Sequence, residues 1–488
     1  MSFATYDFLF YFMPPAMAVL IFASFYKPKI FFLPAILMTS LVFYGIGSIP
    51  HLLLLLALIL ISWIMAYFFK RFKSHDFAKL FLWVAILINL SALAVWKYGE
   101  SIVGLWNSFG LTEVQQPGLL MPLGISFYVF QQVGYLLDLK RNRATVTSPL
   151  NYAAFIMFFP QLLAGPIVTH KRMTREFGRI LNGFSLDDRL MMACQGISWF
   201  SLGLFKKVVI ADSLGRITTP LMSKAAFGDL NIIEAWQLML IAPTRVYFDF
   251  CGYSEMAVGL GLCIGLRIPA NFNAPFRANS MRQFWTRWHI TFHHFIRDHL
   301  YSPLKRLTQN WPFGGAISLF FAITLSSLWH GNTIQFFFWG MLVWLSMFVT
   351  TRLFSVFNEK VRTLLTVLMS LSFFGILGIV FTAPDLDIAK TIVRQLGAVS
   401  TLSNGLSSLS PIQWGHITFI VLMILFVRVE ISAQVLIESG AQHRDRHIFG
   451  YRPPLWAANY GWLFSFCLLL VISFYFVGLS PPFVYFQF

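Results

Sequence analysis

The stretch from Leu52 to Phe69 reads LLLLLALILISWIMAYFF and contains no charged residue. A helix rises about 1.5 Å per residue, so a stretch of this length covers most of the roughly 30 Å of hydrocarbon in a bilayer. Hydrocarbon offers no water to bond the backbone, and a helix satisfies its own amide groups. The stretch therefore predicts a membrane-spanning helix.

The remainder of the chain has the same character. Of its 488 residues, 57% are hydrophobic and only 11% are charged. A soluble protein of this length has too little polar surface to cover so many apolar side chains. Further apolar runs occupy 78–96, 364–381 and 462–476, and roughly eleven to thirteen runs approach the length of a membrane-spanning helix. We therefore predict an all-α, multi-pass integral membrane protein.

Charge and cysteine content exclude other classes of protein. The net charge of +16 is distributed over loops beside apolar runs, which is typical of a cytoplasmic membrane face and argues against nucleic-acid binding. The cysteines stand singly in apolar surroundings, without the paired spacing of a zinc or redox site. We expect them to be buried packing residues. They are Cys194, Cys251, Cys263 and Cys467.

The charge of the first loops predicts how the chain enters the membrane. Basic residues follow the first and third apolar runs, at 27–29 and 70–73, whereas the loop at 47–51 contains no Lys or Arg. Because basic loops stay in the cytoplasm, this pattern predicts an extracytoplasmic N-terminus. No basic segment precedes the first run, so we expect the first helix to be retained rather than cleaved as a signal peptide.

Two apolar segments interrupt this alternation. The segment 152–168 has basic residues on both sides and contains Pro160 and Gly165-Pro166, which break helices. We expect it to be a re-entrant hairpin with both ends on the cytoplasmic side, and we expect 197–204 to behave in the same way. Broken backbone is tolerated in a membrane only where protein shields it or where it lines a cavity. A central cavity entered from the cytoplasm is therefore predicted.

The segment from Asn271 to Arg306 combines aromatic and basic residues. It contains six Lys or Arg residues and a single acid, Asp298. An amphipathic interfacial helix anchored by Trp and Arg would have this composition, and so would a membrane-embedded site for an anionic substrate. The helical period places five residues on one face, which directs His289 toward the apolar side and favours the embedded site. These five are Trp285, His289, Phe292, His293 and Ile296.

The histidines of this segment do not form a recognisable metal motif. His289 and His293 have i, i+4 spacing, with His294 and His299 nearby, but the sequence lacks the glutamate of HExxH and any acidic ligand at suitable spacing. We therefore expect no metal site. Because the Walker, dinucleotide and GxSxG motifs are also missing from suitable contexts, we do not expect nucleotide hydrolysis.

A second histidine stands in an apolar stretch. The residues from Leu325 to Gly340 read LSSLWHGNTIQFFFWG and place His330 between Trp329 and Gly331. A titratable ring in such surroundings requires either a bonding partner or a function. One reading is a packed histidine bonded to a carbonyl group. The other is a base, because an apolar environment disfavours the imidazolium and leaves a neutral ring that accepts protons.

Seven segments, spread from the first third of the chain to its last residue, form a pattern that is more specific than any one of them. They read PLGISFYVFQQVGYLLDL (122–139), FFPQLLAGPIV (158–168), GLFKKVVIAD (203–212), YFDFCGYSEMAVGLGLCIGLRIPANFNAPF (247–276), FWTRWHITFHHFIRDHLYSPL (284–304), SLWHG (327–331) and VYFQF (484–488). Together they resemble the membrane-bound O-acyltransferase (MBOAT) family, and within it most of all the bacterial membrane subunits that O-acetylate alginate.

The resemblance implies a fold and a set of site residues. The fold would be a multi-pass helical bundle with re-entrant helices around a central tunnel, in one domain over 1–488. Its N-terminal helices would occupy 1–118, the catalytic core 119–345 and the C-terminal helices 346–488. His330 would be the catalytic base that takes the hydroxyl proton during acyl transfer, and His289 the second characteristic histidine. Residues expected to contact substrate are Trp329, Asn332, Arg287, Trp288 and Asn273.

The resemblance also implies substrates and location. The donor would be a cytoplasmic acyl thioester, most simply acetyl-CoA, with no bound cofactor. Its phosphates would meet the basic residues of 277–306 or Lys206 and Lys207. The acceptor would be an extracytoplasmic polysaccharide, reached directly or through a relay protein, and the enzyme would lie among lipids of the bacterial inner membrane.

Two other functions stay open at this stage. One keeps the fold and transfers a D-alanyl or other acyl group from a carrier protein. The other is a proton-coupled transporter that uses His289, His330 and Asp249 as a pathway. Transporters often contain inverted repeats, and the 284–304 segment is not repeated elsewhere in the chain.

Overall fold

The computed structural model describes residues 2–110, 118, 120–183, 185–278, 280–331, 333–353, 373–407, 411–429 and 459–478. Within these ranges the regular structure is helical and contains no strand, so the all-α fold class is confirmed. The chain forms two compact units, Met1–Phe200 with Met256–Pro269, and Ser201–Glu255 with Ala270–Phe488. The predicted division of one domain at 118 and 345 stays a prediction.

Long apolar helices form the first unit. The helices that begin in it are α1 (Met13–Phe25), α2 (Pro28–Gly45), α3 (Ile49–Arg71), α4 (Ala78–Ser108), α5 (Ile125–Lys140), α6 (Pro149–Met157), α7 (Phe159–Leu162), α8 (His170–Leu181) and α9 (Leu186–Phe205). A π-helix, Asp7–Phe12, leads into α1. In the described part of the chain, four segments are long and apolar enough to cross a membrane: Asp7–Phe25, α2, α3 and α4.

Local sequence explains where α3 begins and ends. The Ser48 hydroxyl oxygen accepts a hydrogen bond from the backbone N–H of His51 (3.4 Å), and Pro50 stands in the first turn, where its missing N–H costs nothing. Lys70 and Arg71 lie in the last turn, where cations interact favourably with the helix dipole. The span predicted from 52–69 is therefore confirmed as part of α3.

The segment 152–168 is broken as predicted. Helix α6 ends before Phe158, which leaves the helical conformation (φ −48°, ψ 102°), and the single turn of α7 follows. The freed backbone N–H of Phe159 donates to the Ser40 hydroxyl at 3.1 Å, as a buried amide requires. At Gly165 a Cβ atom would lie 2.4 Å from the Cα of Gln161, so the tight turn after α7 requires glycine. The re-entrant course of the segment stays a prediction.

The expected break at 197–204 is wrong. These residues lie inside the continuous helix α9, which leads into a π-helix at Lys206–Ala211. The segment contains no proline, and the Lys206 and Lys207 side chains that resembled a cytoplasmic boundary are buried. The basic flank therefore belongs to the interior of the second unit rather than to a loop.

The remaining helices build the second unit. They are α10 (Asp212–Phe227), α11 (Ile232–Cys263), α12 (Met281–Arg287), α13 (Ile290–Ile296), α14 (Ser302–Leu307), α15 (Gly314–Leu328), α16 (Ile334–Leu353), α17 (Phe373–Thr382), α18 (Leu386–Gln395), α19 (Leu402–Ser407), α20 (Pro411–Val429) and α21 (Tyr460–Phe476). Helices α15 and α16 pack closely, because a Cβ atom on Gly340 would lie 2.2 Å from the Ser327 hydroxyl oxygen. A third π-helix, Arg297–Tyr301, joins α13 to α14.

The expectation that all four cysteines are buried is wrong. Cys251 is buried and Cys263 is partly buried, but Cys194 and Cys467 are exposed. Both exposed residues lie on helices, α9 and α21, whose outward faces also carry large apolar side chains. Apolar surroundings in the sequence therefore do not require burial inside the protein when the outer surface is itself apolar.

Candidate active site

A cavity of about 610 Å³ lies in the second unit. Its walls come from α11, α12, α13, the π-helix at 297–301, α15, α16 and α17, and most of the lining side chains are apolar. His289 and His330 both line it, as do the cationic side chains of Arg282 and Arg297. Its size is in the range of small-molecule sites, and a few polar groups on apolar walls are typical of them.

The predicted helix through 285–296 is wrong, although the face chosen from it is informative. The chain forms two short helices, α12 and α13, because Trp288 is extended and His289 adopts a left-handed conformation (φ 43°, ψ 52°). The backbone N–H of Ile290 donates to the carbonyl oxygen of Asn271 (2.8 Å) instead of continuing a helix. All five predicted face residues nevertheless line the cavity: Trp285, His289, Phe292, His293 and Ile296.

The His289 side chain is buried and held by its neighbours. Its Nδ1 lies 3.0 Å from the side-chain oxygen of Asn271, whereas Nε2 has no hydrogen-bond partner among the described residues. The ring meets Phe250 edge-on at a centroid distance of 4.7 Å and stacks on Phe292 at 4.9 Å. Burial lowers the pKa of His289, because an apolar environment disfavours the cation.

His330 lies just after the C-terminal end of α15, whereas His289 lies just before the N-terminal end of α13. The backbone N–H of His330 donates to the carbonyl oxygen of Ser327 (2.9 Å). The ring is surrounded by aromatic side chains, with centroids at 4.6 Å for Trp329, 5.1 Å for Phe381 and 5.4 Å for Trp339. His330 therefore lies beside the C-terminal end of α15, the end at which a helix dipole favours cations.

Phe292 lies between the two imidazole rings. Its centroid is 4.9 Å from that of His289 and 6.4 Å from that of His330. The histidines thus share an aromatic neighbour and a cavity.

Only some of the residues that are predicted to contact substrate lie at the cavity. Trp288 lines the cavity, and Trp329 is buried against the ring of His330. Asn273 and Arg287 are absent from the described lining. Their backbones pair instead, since the Asn273 N–H donates to the Arg287 carbonyl oxygen (3.0 Å). Asn332 lies outside the described residues.

The structure contradicts a phosphate-binding role for Lys206 and Lys207. The Lys206 ammonium lies 2.8 Å from Glu255, and that of Lys207 lies 2.7 Å from Asp249, with Asp212 as a further partner. All of these side chains are buried, so the lysines neutralise internal carboxylates. Among the described lining residues the cations are instead Arg282 and Arg297.

Two buried amides were not identified from the sequence as site residues. Asn271 bonds His289, and Gln335 donates to the carbonyl oxygens of Val380 and Ala383, which ties the start of α16 to the end of α17. A polar amide inside an apolar run indicates a bonded position. That signal was present at both residues. In the described part of the chain, no three His, Cys, Asp or Glu side chains are placed to hold a metal ion.

Comparison with known proteins identifies the family of the chain. Residues 36–383 match the membrane-bound O-acyltransferase family. The peptidoglycan O-acetyltransferase of Helicobacter pylori is 29% identical over 99% of this chain and 96% of that protein. A protein of Azotobacter vinelandii that is named a probable alginate O-acetylase is 33% identical over 70% of this chain and 66% of that protein. The teichoic acid D-alanyltransferase of Streptococcus thermophilus is 25% identical over 60% of this chain and 69% of that protein. Because the family match covers well over half of the sequence, the chain belongs to the membrane-bound O-acyltransferase family.

Proposed function

We propose that the protein transfers an acetyl group from a thioester to a hydroxyl group, with His330 as the general base. The observation that carries this proposal is the position of His330, buried on the cavity wall beside the C-terminal end of α15. The side chain of a base in this position is shielded from water while it accepts a proton. The positive charge that it gains lies near the negative end of a helix dipole.

The reaction follows from this placement. The hydroxyl oxygen attacks the carbonyl carbon of the thioester while His330 takes the hydroxyl proton. The carbon–sulfur bond then breaks, and the imidazolium returns the proton to the departing thiolate. The protein thereby recovers a neutral His330, and the products are an ester and a thiol.

The residues that line the cavity support acetyl as the transferred group and a phosphate-bearing thioester as its donor. Aromatic rings of Trp329, Trp339 and Phe381 stand close to His330, which favours a short acyl chain at that point. Arg282 and Arg297 lie on the same lining. Arg297 is paired with Asp298 at 2.8 Å, so Arg282 is the residue that would provide positive charge for the phosphates of a donor such as acetyl-CoA. The Helicobacter pylori and Azotobacter vinelandii relatives, both named for O-acetylation, support the same acyl group.

The proposed acceptor is a polysaccharide on the extracytoplasmic side of a bacterial inner membrane, reached directly or through a relay protein. Peptidoglycan and alginate, which name two relatives, are both polysaccharides outside the cytoplasm. The basic loops after the first and third helices support an extracytoplasmic N-terminus. The alternative, D-alanyl transfer from a carrier protein, is favoured by the similarity to the Streptococcus thermophilus protein.

A transporter is less well supported. Its proposed pathway includes Asp249, which is paired with Lys207 and is absent from the described lining of the cavity that contains His289 and His330.

The test is transfer of labelled acetyl from acetyl-CoA by purified protein in lipid vesicles that contain a polysaccharide acceptor. We expect His330→Gln to lower the rate about 100- to 10,000-fold, the usual cost of losing a general base. Glutamine keeps a hydrogen-bonding group, so the variant should remain monodisperse. Wild-type rates in folded His330→Gln protein would refute the assignment of the base. Transfer only from a D-alanyl carrier protein would favour the alternative donor.

A further inference from the structure

We propose that Asn271 is a positioning residue for acyl transfer, which holds His289 in the tautomer whose Nε2 accepts a hydrogen bond from a substrate. The inference rests on the proposed function, because it assigns His289 a task in that reaction. It follows from the hydrogen bonds around the buried side-chain amide of Asn271. These bonds fix the orientation of the amide, and the amide in turn fixes the tautomer of His289. The tautomer determines which nitrogen of His289 can accept a hydrogen bond from a substrate.

The orientation of the Asn271 amide is fixed by one group that can only donate, the backbone N–H of Thr291. Its oxygen faces the backbone N–H of Thr291 at 3.3 Å and the Thr291 hydroxyl at 2.9 Å. A backbone N–H cannot accept, so the atom that faces it is the amide oxygen. The amide nitrogen donates on the other side to the Ser254 hydroxyl at 3.3 Å. Both ends of the amide therefore have suitable partners, and a flipped amide would place two donors face to face.

This orientation determines the tautomer of His289. The Asn271 oxygen only accepts, so the Nδ1 atom of His289, 3.0 Å away, carries the proton. In a neutral imidazole the other nitrogen is then an acceptor. That nitrogen, Nε2, is buried and has no partner among the described residues, and His289 lines the cavity. A substrate N–H or O–H group that approached His289 from the cavity would supply the partner that this lone pair lacks.

The reacting hydroxyl has one proton, which His330 removes in the proposed reaction. The group bound by His289 is therefore a different donor, either an amide N–H on the arm of the thioester or a second hydroxyl of the acceptor. A neutral acceptor atom cannot polarise the thioester carbonyl, since that task requires a hydrogen-bond donor. His289 accordingly orients a substrate while His330 moves the proton.

The backbone of His289 depends on the same residue. A left-handed conformation (φ 43°) is unfavourable for a histidine and persists only where the surroundings enforce it. The Asn271 carbonyl oxygen accepts from the N–H of Ile290 at 2.8 Å, while the Asn271 side chain bonds the residues on either side of Ile290. One residue therefore fixes both the strained backbone and the ring that it presents.

The experiment compares the His289 tautomer and acetyl transfer in four proteins. Nitrogen-15 NMR of protein labelled at histidine distinguishes Nδ1–H from Nε2–H imidazole, and the His289 signal is identified by its loss in His289→Gln. The test variants are Asn271→Leu, which removes the acceptor, and Asn271→Asp, which keeps it and adds charge. Thr291→Val is the matched control, because it removes another hydrogen bond to the same oxygen and leaves the bond to His289.

In the wild type and in Thr291→Val we expect the Nδ1–H tautomer and similar rates. In Asn271→Leu we expect a mixture of tautomers and a loss of about 10- to 100-fold in transfer, the range for residues that orient a functional histidine through its second nitrogen. The KM of the donor rises if His289 binds the thioester arm, and that of the acceptor rises if it binds a hydroxyl. In Asn271→Asp the carboxylate favours the imidazolium, so the loss of activity at low pH should begin at higher pH.

Two results would overturn the proposal. One is an unchanged His289 tautomer in Asn271→Leu, which would mean that another group sets it. The other is a changed tautomer with wild-type kcat and KM values, which would mean that transfer does not use it. Failure of the proposed function would look different, since the wild type would then transfer no acetyl while the spectra still reported on Asn271. If Asn271→Leu does not fold, the Asn271→Asp pH profile decides the question.

Discussion

Replacement of Lys207 by methionine tests how the interior of the second unit is stabilised. Lys207 is 2% exposed, and its ammonium lies 2.5 Å from Asp212 and 2.7 Å from Asp249, which are themselves buried. Methionine preserves much of the side-chain volume but removes the charge. Two buried carboxylates then lose their shared partner, so we expect Lys207→Met to destabilise the protein.

The size of the effect follows from the charges that remain. Loss of one partner from a buried ion pair typically costs roughly 3–5 kcal/mol. Arg245 also interacts with both carboxylates and offsets part of the loss, which places the expected value near the lower limit, about 3 kcal/mol. Because unfolding entropy grows with chain length, a chain of 488 residues shifts by roughly 1 °C per kcal/mol, so the melting temperature should fall by about 3 °C.

The assay is thermal unfolding of detergent-solubilised protein, followed by tryptophan fluorescence and by the monodisperse fraction after heating. Lys206→Met is a matched comparison that removes the cation paired with one buried carboxylate, Glu255, instead of two. The double variant Lys207→Met/Asp249→Asn restores charge balance and should recover at least half of the loss. A melting temperature for Lys207→Met within about 1 °C of wild type would refute this account of the ion pairs.

Two further predictions test the site and the membrane topology. At Gly331 a Cβ atom would lie 1.9 Å from the Phe336 ring, so Gly331→Ala should displace that ring. We expect acetyl transfer to fall at least tenfold, a loss of about 1.4 kcal/mol in transition-state stabilisation. The control is Gly99→Ala, which has open space around it and should match the wild type. Cysteines placed at Ser148 and Thr169 should both react with a thiol reagent confined to the cytoplasm, whereas reaction of either one only from outside would indicate a simple span.

Hydrophobic pattern was sufficient for the features that depend on burial alone. The apolar run at 52–69 predicted a helix correctly because hydrocarbon permits few other structures. The helical period through 285–296 selected residues that line one cavity even though the helix breaks, because the apolar faces of α12 and α13 both meet that cavity. Every apolar residue on a helix face contributes to the prediction that the face is buried. A break in the helix at one position therefore does not remove that prediction for the others.

Features that depend on a single distant partner could not be predicted in this way. The break at Trp288 and His289 arises from bonds to Asn271, which is 18 positions from His289 in the chain. Lys206 and Lys207 resembled a cytoplasmic boundary because the carboxylates that neutralise them include Asp249 and Glu255, more than 40 positions away. From sequence alone, a charged residue is predicted to lie on the surface unless its buried partner is known.

The two histidines show how one fold gives the same side chain different properties. His330 follows the 15-residue helix α15, whose C-terminal end favours a cation. His289 precedes α13 at its N-terminal end, where a cation is disfavoured, and burial lowers its pKa further. In the proposed reaction only one of the two rings needs to gain a proton during each turnover. In the proposed reaction the base is therefore the ring beside a helix C-terminus, and the ring beside a helix N-terminus is the one that holds a substrate through its lone pair.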